Sequence, residues 1–160
     1  MSQFADDIQK FNQIYRLPVN TRPTLAVGVP VIERLQAFKA ILQEELTEVE
    51  EILEVARSLE QPAVAADDAT RTKTELALLT MLADWLGDIQ VYCASEMAKF
   101  GLPLDAVLSI IMQSNFSKLD ANGQPIYDER GKVLKGPDYW RPEPALSQLL
   151  AQKQQNENGA

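Results

Sequence analysis

Carboxylates in two separate stretches occupy positions where a helix would carry apolar side chains. The first stretch is Gln43-Glu44-Glu45-Leu46-Thr47-Glu48-Val49-Glu50-Glu51. Leu35, Phe38, Leu42, Val49, Ile52 and Ala56 form a stripe at steps of three and four. Position 45 continues that stripe between Leu42 and Val49, and it holds a glutamate. Glu48 follows three residues later and shares the face. In the second stretch, Asp84-Trp85-Leu86-Gly87-Asp88, Asp84 and Asp88 lie on a ridge with Ala77, Met81 and Val91. Inward carboxylates are costly without compensation, and a divalent cation is a common compensation. Glu45, Glu48, Asp84 and Asp88 are therefore the candidate ligands of one site, if their helices pack antiparallel. Oxygen-only ligands suit Mg²⁺, with Mn²⁺ as substitute, rather than zinc. Glu44 can swing toward the cation from the edge, whereas Glu50, Glu51 and Glu54 read as a solvated face.

A second group lies toward the C-terminus: Asn115, Lys118, Lys132, Lys135, Tyr139, Trp140 and Arg141. Each lysine alone reads as surface charge. Cations beside a carboxylate–metal centre are nevertheless what a polyphosphate requires, and the aromatics could stack on a base.

Composition narrows the chemistry. The chain of 160 residues has no histidine, which removes Ser-His-Asp and Cys-His catalysis and histidine zinc sites. A net charge of −8 argues against non-specific nucleic-acid or acidic-membrane binding. With no run of eighteen apolar residues, no transmembrane helix is expected. The N-terminus lacks the pattern of a signal peptide. The single Cys93 precludes an internal disulfide, fits a cytoplasmic location, and is expected as a buried, inert thiol.

The elements that must position these groups read as all-α. Helices are predicted over 3–15, with Phe4, Ile8, Phe11 and Tyr15 as its apolar face, and over 31–59, 72–100, 104–117 and 145–153. Pro18 and Pro23 mark an extended linker after the first helix, and Gly101 ends the third. Residues 61–70 read as a loop with room for a helical turn. Gly87 in mid-helix suggests close backbone packing. Pro125-Ile126-Tyr127 and Lys132-Val133-Leu134 flank Asp128-Glu129-Arg130-Gly131, which predicts a small β-hairpin followed by a loop. The expected architecture is a bundle of four to five helices with this C-terminal hairpin, one domain over 1–153 and a polar tail over 154–160, without repeats.

Glu44-Glu45-Leu46-Thr47-Glu48 followed by Asp84-Trp85-Leu86-Gly87-Asp88 resembles the metal motif of the all-α nucleoside triphosphate pyrophosphohydrolases, the superfamily of MazG, dimeric dUTPases and phosphoribosyl-ATP pyrophosphohydrolase. That motif is E-x-x-E, then E-x-x-D on the next core helix. Glu45, Glu48 and Asp88 match it. Trp85 stands in place of the second glutamate, and Asp84, one turn before Asp88, is its natural replacement. Lys10-Phe11-Asn12-Gln13, Ser114-Asn115-Phe116-Ser117-Lys118 and Gly131-Lys132-Val133-Leu134-Lys135-Gly136-Pro137 are similar to the MazG-like branch.

The resemblance implies Mg²⁺-dependent cleavage of a (deoxy)nucleoside triphosphate to monophosphate and pyrophosphate, in a house-cleaning or dNTP pool role. It implies Glu44 or Glu45 as the carboxylate that orients or deprotonates water. Lys118 with Lys132 or Lys135 would hold phosphate oxygens, and Asn12 and Asn115 would read base or sugar edges. A homodimer or dimer of dimers is the expected assembly. Two alternatives remain: a non-catalytic nucleotide-binding or regulatory helical module, and a purely structural helical dimer.

Overall fold

The computed structural model describes residues 2–155, so residues 156–160 of the expected polar tail lie outside the described part. Among the described residues the chain forms six helices and no strand: α1 Gln3–Ile14, α2 Val31–Ser58, α3 Pro62–Ala65, α4 Asp68–Lys99, α5 Leu104–Phe116 and α6 Glu143–Gln155. The all-α class is as expected. The chain divides into two compact units, Ala26–Glu96 and the remainder, Met1–Leu25 with Met97–Ala160.

The unit Ala26–Glu96 is built on α2 and α4. Arg34, one turn into α2, bonds Glu96 near the end of α4, Nε to Oε1 at 2.7 Å. Eleven residues further along α2 and eleven back along α4, the Trp85 indole Nε1 donates to the Glu45 carbonyl at 2.8 Å. The two contacts fix an antiparallel pair in a single register over about three turns. Ile52 and Glu45 are the buried residues of α2. Leu35 of the expected stripe is instead half exposed, at 52%.

α4 is apolar on more than one side. Leu76, Leu79 and Leu86 are exposed, and Cys93, seven residues beyond Leu86, is exposed on the same line. This corrects the expected buried thiol. Nothing lies within 4 Å of a Cβ built on Gly87, so the expected close packing there is absent. By length and composition α4 also qualifies as a candidate membrane span, contrary to the expectation from run length alone. Asp84 and Asp88 in its middle, each costing roughly 2.5–3.5 kcal/mol at a bilayer centre, weigh against insertion.

In the other unit, α1 buries Ala5, Ile8 and Asn12. Phe4, Phe11 and Tyr15 of the expected face are exposed at 40%, 38% and 64%. The buried line is thus rotated by one residue from the aromatic one. Ser2 ties α1 to α5: its hydroxyl donates to Asp105 Oδ1 at 2.6 Å and its amide to Oδ2 at 2.7 Å. The linker after α1 is strapped to the end of α4 by Asn20 N–H on the Ala98 carbonyl and Thr24 N–H on the Phe100 carbonyl, both at 3.0 Å. α5 and α6 pack together.

The expected hairpin is not formed. Two isolated antiparallel bridges stand in its place, Leu119 with Pro125 and Tyr127 with Val133. They belong to one eight-residue unit used twice, a repeat that composition does not betray. Asp120 Oδ1 accepts from Asn122 N–H and Gln124 N–H, both at 2.8 Å. Asp128 Oδ1 accepts from Arg130 N–H at 2.9 Å and Lys132 N–H at 2.8 Å. Gly123 and Gly131 each donate to the carbonyl of their aspartate at 3.0 Å. Their φ values of 75° and 78° are left-handed, where glycine carries no Cβ penalty. Each aspartate draws its backbone into a closed turn, so pairing stops after one bridge and no continuous ladder develops.

Candidate metal-binding site

The antiparallel register places Glu45 of α2 opposite Trp85 of α4. On α4, Trp85, Asp88 and Tyr92 follow at steps of three and four and share the face toward Glu45. This face, rather than the ridge through Asp84, carries the partners of Glu45. It preserves the spacing of the resembling motif, with an indole where that motif has a carboxylate.

Glu45 is 5% exposed. The Tyr92 hydroxyl lies beside its carboxylate. The atom Oε2 is buried and has no hydrogen-bond partner. Burial lifts the Glu45 carboxyl above the ordinary glutamate range. The charges of Glu48, Asp88 and, more weakly, Glu44 push the same way, while the nearby Tyr92 hydroxyl opposes them. Tyr92 is raised in turn, first by burial and then by the charges of Glu45, Asp88 and Glu48. A buried carboxylate oxygen with no donor, facing three further acids, is costly in the chain alone. It is what a site for a hard cation requires.

Glu44, Glu48 and Asp88 are exposed at the edge of this centre. Asp84 is exposed, and the charges that act on Glu45 are those of Glu48, Asp88 and Glu44, with Asp84 not among them. Among the described residues, no three His, Cys, Asp or Glu side chains are grouped closely enough to hold a metal ion. The donors beside Glu45 are all oxygen, Glu44 and Glu48 from α2 and Asp88 from α4, and one Glu45 oxygen is already desolvated and unsatisfied, which is the chemistry a hard cation takes.

The residues expected to bind substrate all fall in the other unit. Asn12 is fully buried, and its Nδ2 donates to the Pro18 carbonyl at 3.3 Å, an amide that fixes the turn after α1. Lys118 Nζ donates to Asn115 Oδ1 at 2.7 Å, so these two are brought together just after α5. Lys135 Nζ sits 4.6 Å from the centre of the Tyr139 ring, a cation–π pair. Lys132 is exposed, and its backbone N–H closes the second aspartate turn.

Tyr92 and the inward role of Trp85 are absent from the sequence reading. The signal was present: Tyr92 is four residues after Asp88 and Trp85 three before it. An aromatic on each side of a candidate ligand, at helical spacing, marks the face that looks inward.

No protein-family model and no curated protein matches the chain. Among solved structures, it is similar to a protein from Exiguobacterium sp. 255-15 described as a "putative NTP pyrophosphohydrolase". The identity is 23%, the match covers 98% of each chain, and the TM-score is 0.49.

Proposed function

We propose that the protein is a Mg²⁺-dependent nucleotide pyrophosphohydrolase that cleaves a (deoxy)nucleoside triphosphate to monophosphate and pyrophosphate. One observation carries the reading: the buried, unpartnered Oε2 of Glu45 among Glu44, Glu48 and Asp88. The resemblance of the two acidic stretches supports it. Glu45, Glu48 and Asp88 would hold the cation, with Asp84 retained as a peripheral candidate because its charge, unlike theirs, does not act on Glu45. When bound, Mg²⁺ would neutralise phosphate charge and favour departure of pyrophosphate.

The chain's own groups supply the rest. Glu44 or Glu45 accepts a hydrogen bond, and then a proton, from the water whose oxygen attacks the α-phosphorus. The bond from that phosphorus to the bridging oxygen breaks as pyrophosphate leaves. Lys118, Lys132 and Lys135, with Asn115 and Tyr139, are proposed as a nucleotide-contacting group of the other unit, whereas Asn12, fully buried with its amide on the Pro18 carbonyl, serves the turn after α1.

The exposed leucines of α4 support a homodimer or dimer of dimers in which a second copy covers that line, and we place the protein in the cytoplasm. The test is a panel of canonical and damaged dNTPs with Mg²⁺, read as pyrophosphate release. Turnover of at least one triphosphate, abolished by EDTA, is the expected result. Nucleotide binding without any product would favour the non-catalytic module, a reading that the indole at position 85 keeps in play.

A further inference from the structure

After the two aspartate turns the chain returns to the end of α5. The Ser114 hydroxyl donates to the Trp140 carbonyl at 2.9 Å, and the Trp140 N–H donates to the Ser117 hydroxyl at 3.2 Å. Gly136 lies against the same stretch: a Cβ built on it would overlap the Leu119 carbonyl and meet that of Lys118 at 3.1 Å. Two backbones approach this closely only where a side chain is missing. Lys118 and Lys135, far apart in sequence, are thus brought to either side of one backbone contact.

The chain has 23 acidic and 15 basic residues, yet neither of these lysines is paired with an acid. Lys118 Nζ rests on Asn115 Oδ1 at 2.7 Å, and Lys135 Nζ on the Tyr139 ring at 4.6 Å. Both partners are neutral, so neither ammonium charge is cancelled. A phosphate oxygen is a stronger acceptor for an ammonium than an amide carbonyl or an exposed ring face, and exchange toward it is favourable. Two such cations on a fastened backbone suit an anion with several charged oxygens.

We propose that Lys118 and Lys135, brought together by the Gly136 contact and the two serine–Trp140 bonds, form a clamp that binds the triphosphate of a nucleotide without a metal ion. The inference rests on the nucleotide-contacting group above and adds which part of the nucleotide it takes and what positions it. Gly136 is a positioning residue, acting through the two lysines.

The test is calorimetric titration of inorganic triphosphate, in EDTA at low salt, into the wild type, Lys118→Met, Lys135→Met, Gly136→Ala and Lys153→Met, the last an exposed lysine of α6. Each of the first two variants is expected to bind about tenfold more weakly, the change for one lost charge-assisted hydrogen bond, and Lys153→Met to bind as the wild type does. Gly136→Ala is expected to weaken binding with both lysines present and an unchanged circular dichroism spectrum; if it does not fold, the lysine variants decide. Proton NMR supplies a readout that general loosening would not move: the Lys135 ε-methylene protons, shielded by the Tyr139 ring, are expected to shift downfield as triphosphate is added. Wild-type affinity in both lysine variants overturns the clamp, and so does binding that appears only when Mg²⁺ replaces EDTA; pyrophosphate release from a dNTP would still stand in either case. EDTA-resistant binding, lost in the lysine variants of a protein that turns over no triphosphate, keeps the clamp and removes the hydrolase. The four canonical dNTPs, titrated in the same buffer, separate the two sources of the anion. At least one is expected to bind as tightly as inorganic triphosphate, and weaker binding of all four would overturn the assignment to a nucleotide.

Discussion

The same functional group is used in opposite ways in the two units. At Asp120 and Asp128 one carboxylate oxygen takes two backbone N–H donors at 2.8–2.9 Å. The Asp120 carboxyl is held below its ordinary range, chiefly by Gln124 and Asn122 N–H. At Glu45 the carboxyl is buried among other acids, has an unpartnered oxygen, and is pushed up. The first pair commits one oxygen of each carboxylate to stabilising a turn. The second is a cost to the fold and is available to a ligand. Acidic residues are abundant in this chain, and what separates these two kinds is where their donors come from.

The comparison breaks most visibly at turnover. Glu45→Gln and Asp88→Asn are expected to lower pyrophosphate release by about 10²–10⁴-fold, the range for a lost acid–base group, with the fold intact. Wild-type rates in both would remove the site. Asp84→Asn sharpens the placement of the centre. Because Asp84 is exposed and its charge does not act on Glu45, it is expected to keep turnover within about tenfold. A loss equal to that of Asp88→Asn would return Asp84 to the ligand set.

Stability against pH, measured by thermal melts in EDTA, separates the two kinds by sign. Glu45 has a folded-state pKa above its unfolded value, so the native state binds more protons between the two. Its contribution is fully present at acid pH and is lost as pH rises through the folded value. Asp120 has a lowered folded pKa, so its contribution is present above the unfolded value and is lost as pH falls through the folded one. Glu45→Gln is accordingly expected to raise the melting temperature at neutral pH and to remove the loss on the alkaline side. Asp120→Ala is expected to speed amide exchange at Asn122 and Gln124 while leaving Mn²⁺ affinity unchanged. The smallest change is Gly87→Ala. With open space around the new methyl, it should stabilise α4 by about 1 kcal/mol, seen as a raised melting temperature.

Much of this was legible in the chain. Periodicity located the long helices to within a few residues, because the capping and breaking signals at Pro30, Pro103 and Gly101 are local. The same periodicity flagged Glu45 as an acid in an apolar slot, and the structure buries it. Periodicity could not choose among neighbouring faces. α1 has aromatic and aliphatic lines one residue apart, and the buried one runs through Asn12. α4 is apolar nearly all round, so its sequence did not say whether Asp84 or Trp85 shares the inward face with Asp88. That choice is made by the register against α2, set by Arg34–Glu96 and Trp85–Glu45. The hairpin was overestimated because alternation was visible, whereas the competing side-chain hydrogen bonds of Asp120 and Asp128 act on the backbone and leave no trace in hydropathy.

The doubled aspartate turn has a consequence for how this segment can vary. Each copy closes on itself through its own aspartate and glycine and needs no neighbouring strand to complete its hydrogen bonds. The segment is therefore modular, like links in a chain: a whole copy can be added or removed in register, while a gain or loss of one residue inside a copy breaks its closure. Length change here is quantised in steps of one turn and stays local, because the chain returns to α5 beyond the turns: the Ser114 hydroxyl donates to the Trp140 carbonyl at 2.9 Å and the Trp140 N–H donates to the Ser117 hydroxyl at 3.2 Å, which fixes the Lys135–Tyr139 pair beside that helix whatever the number of turns.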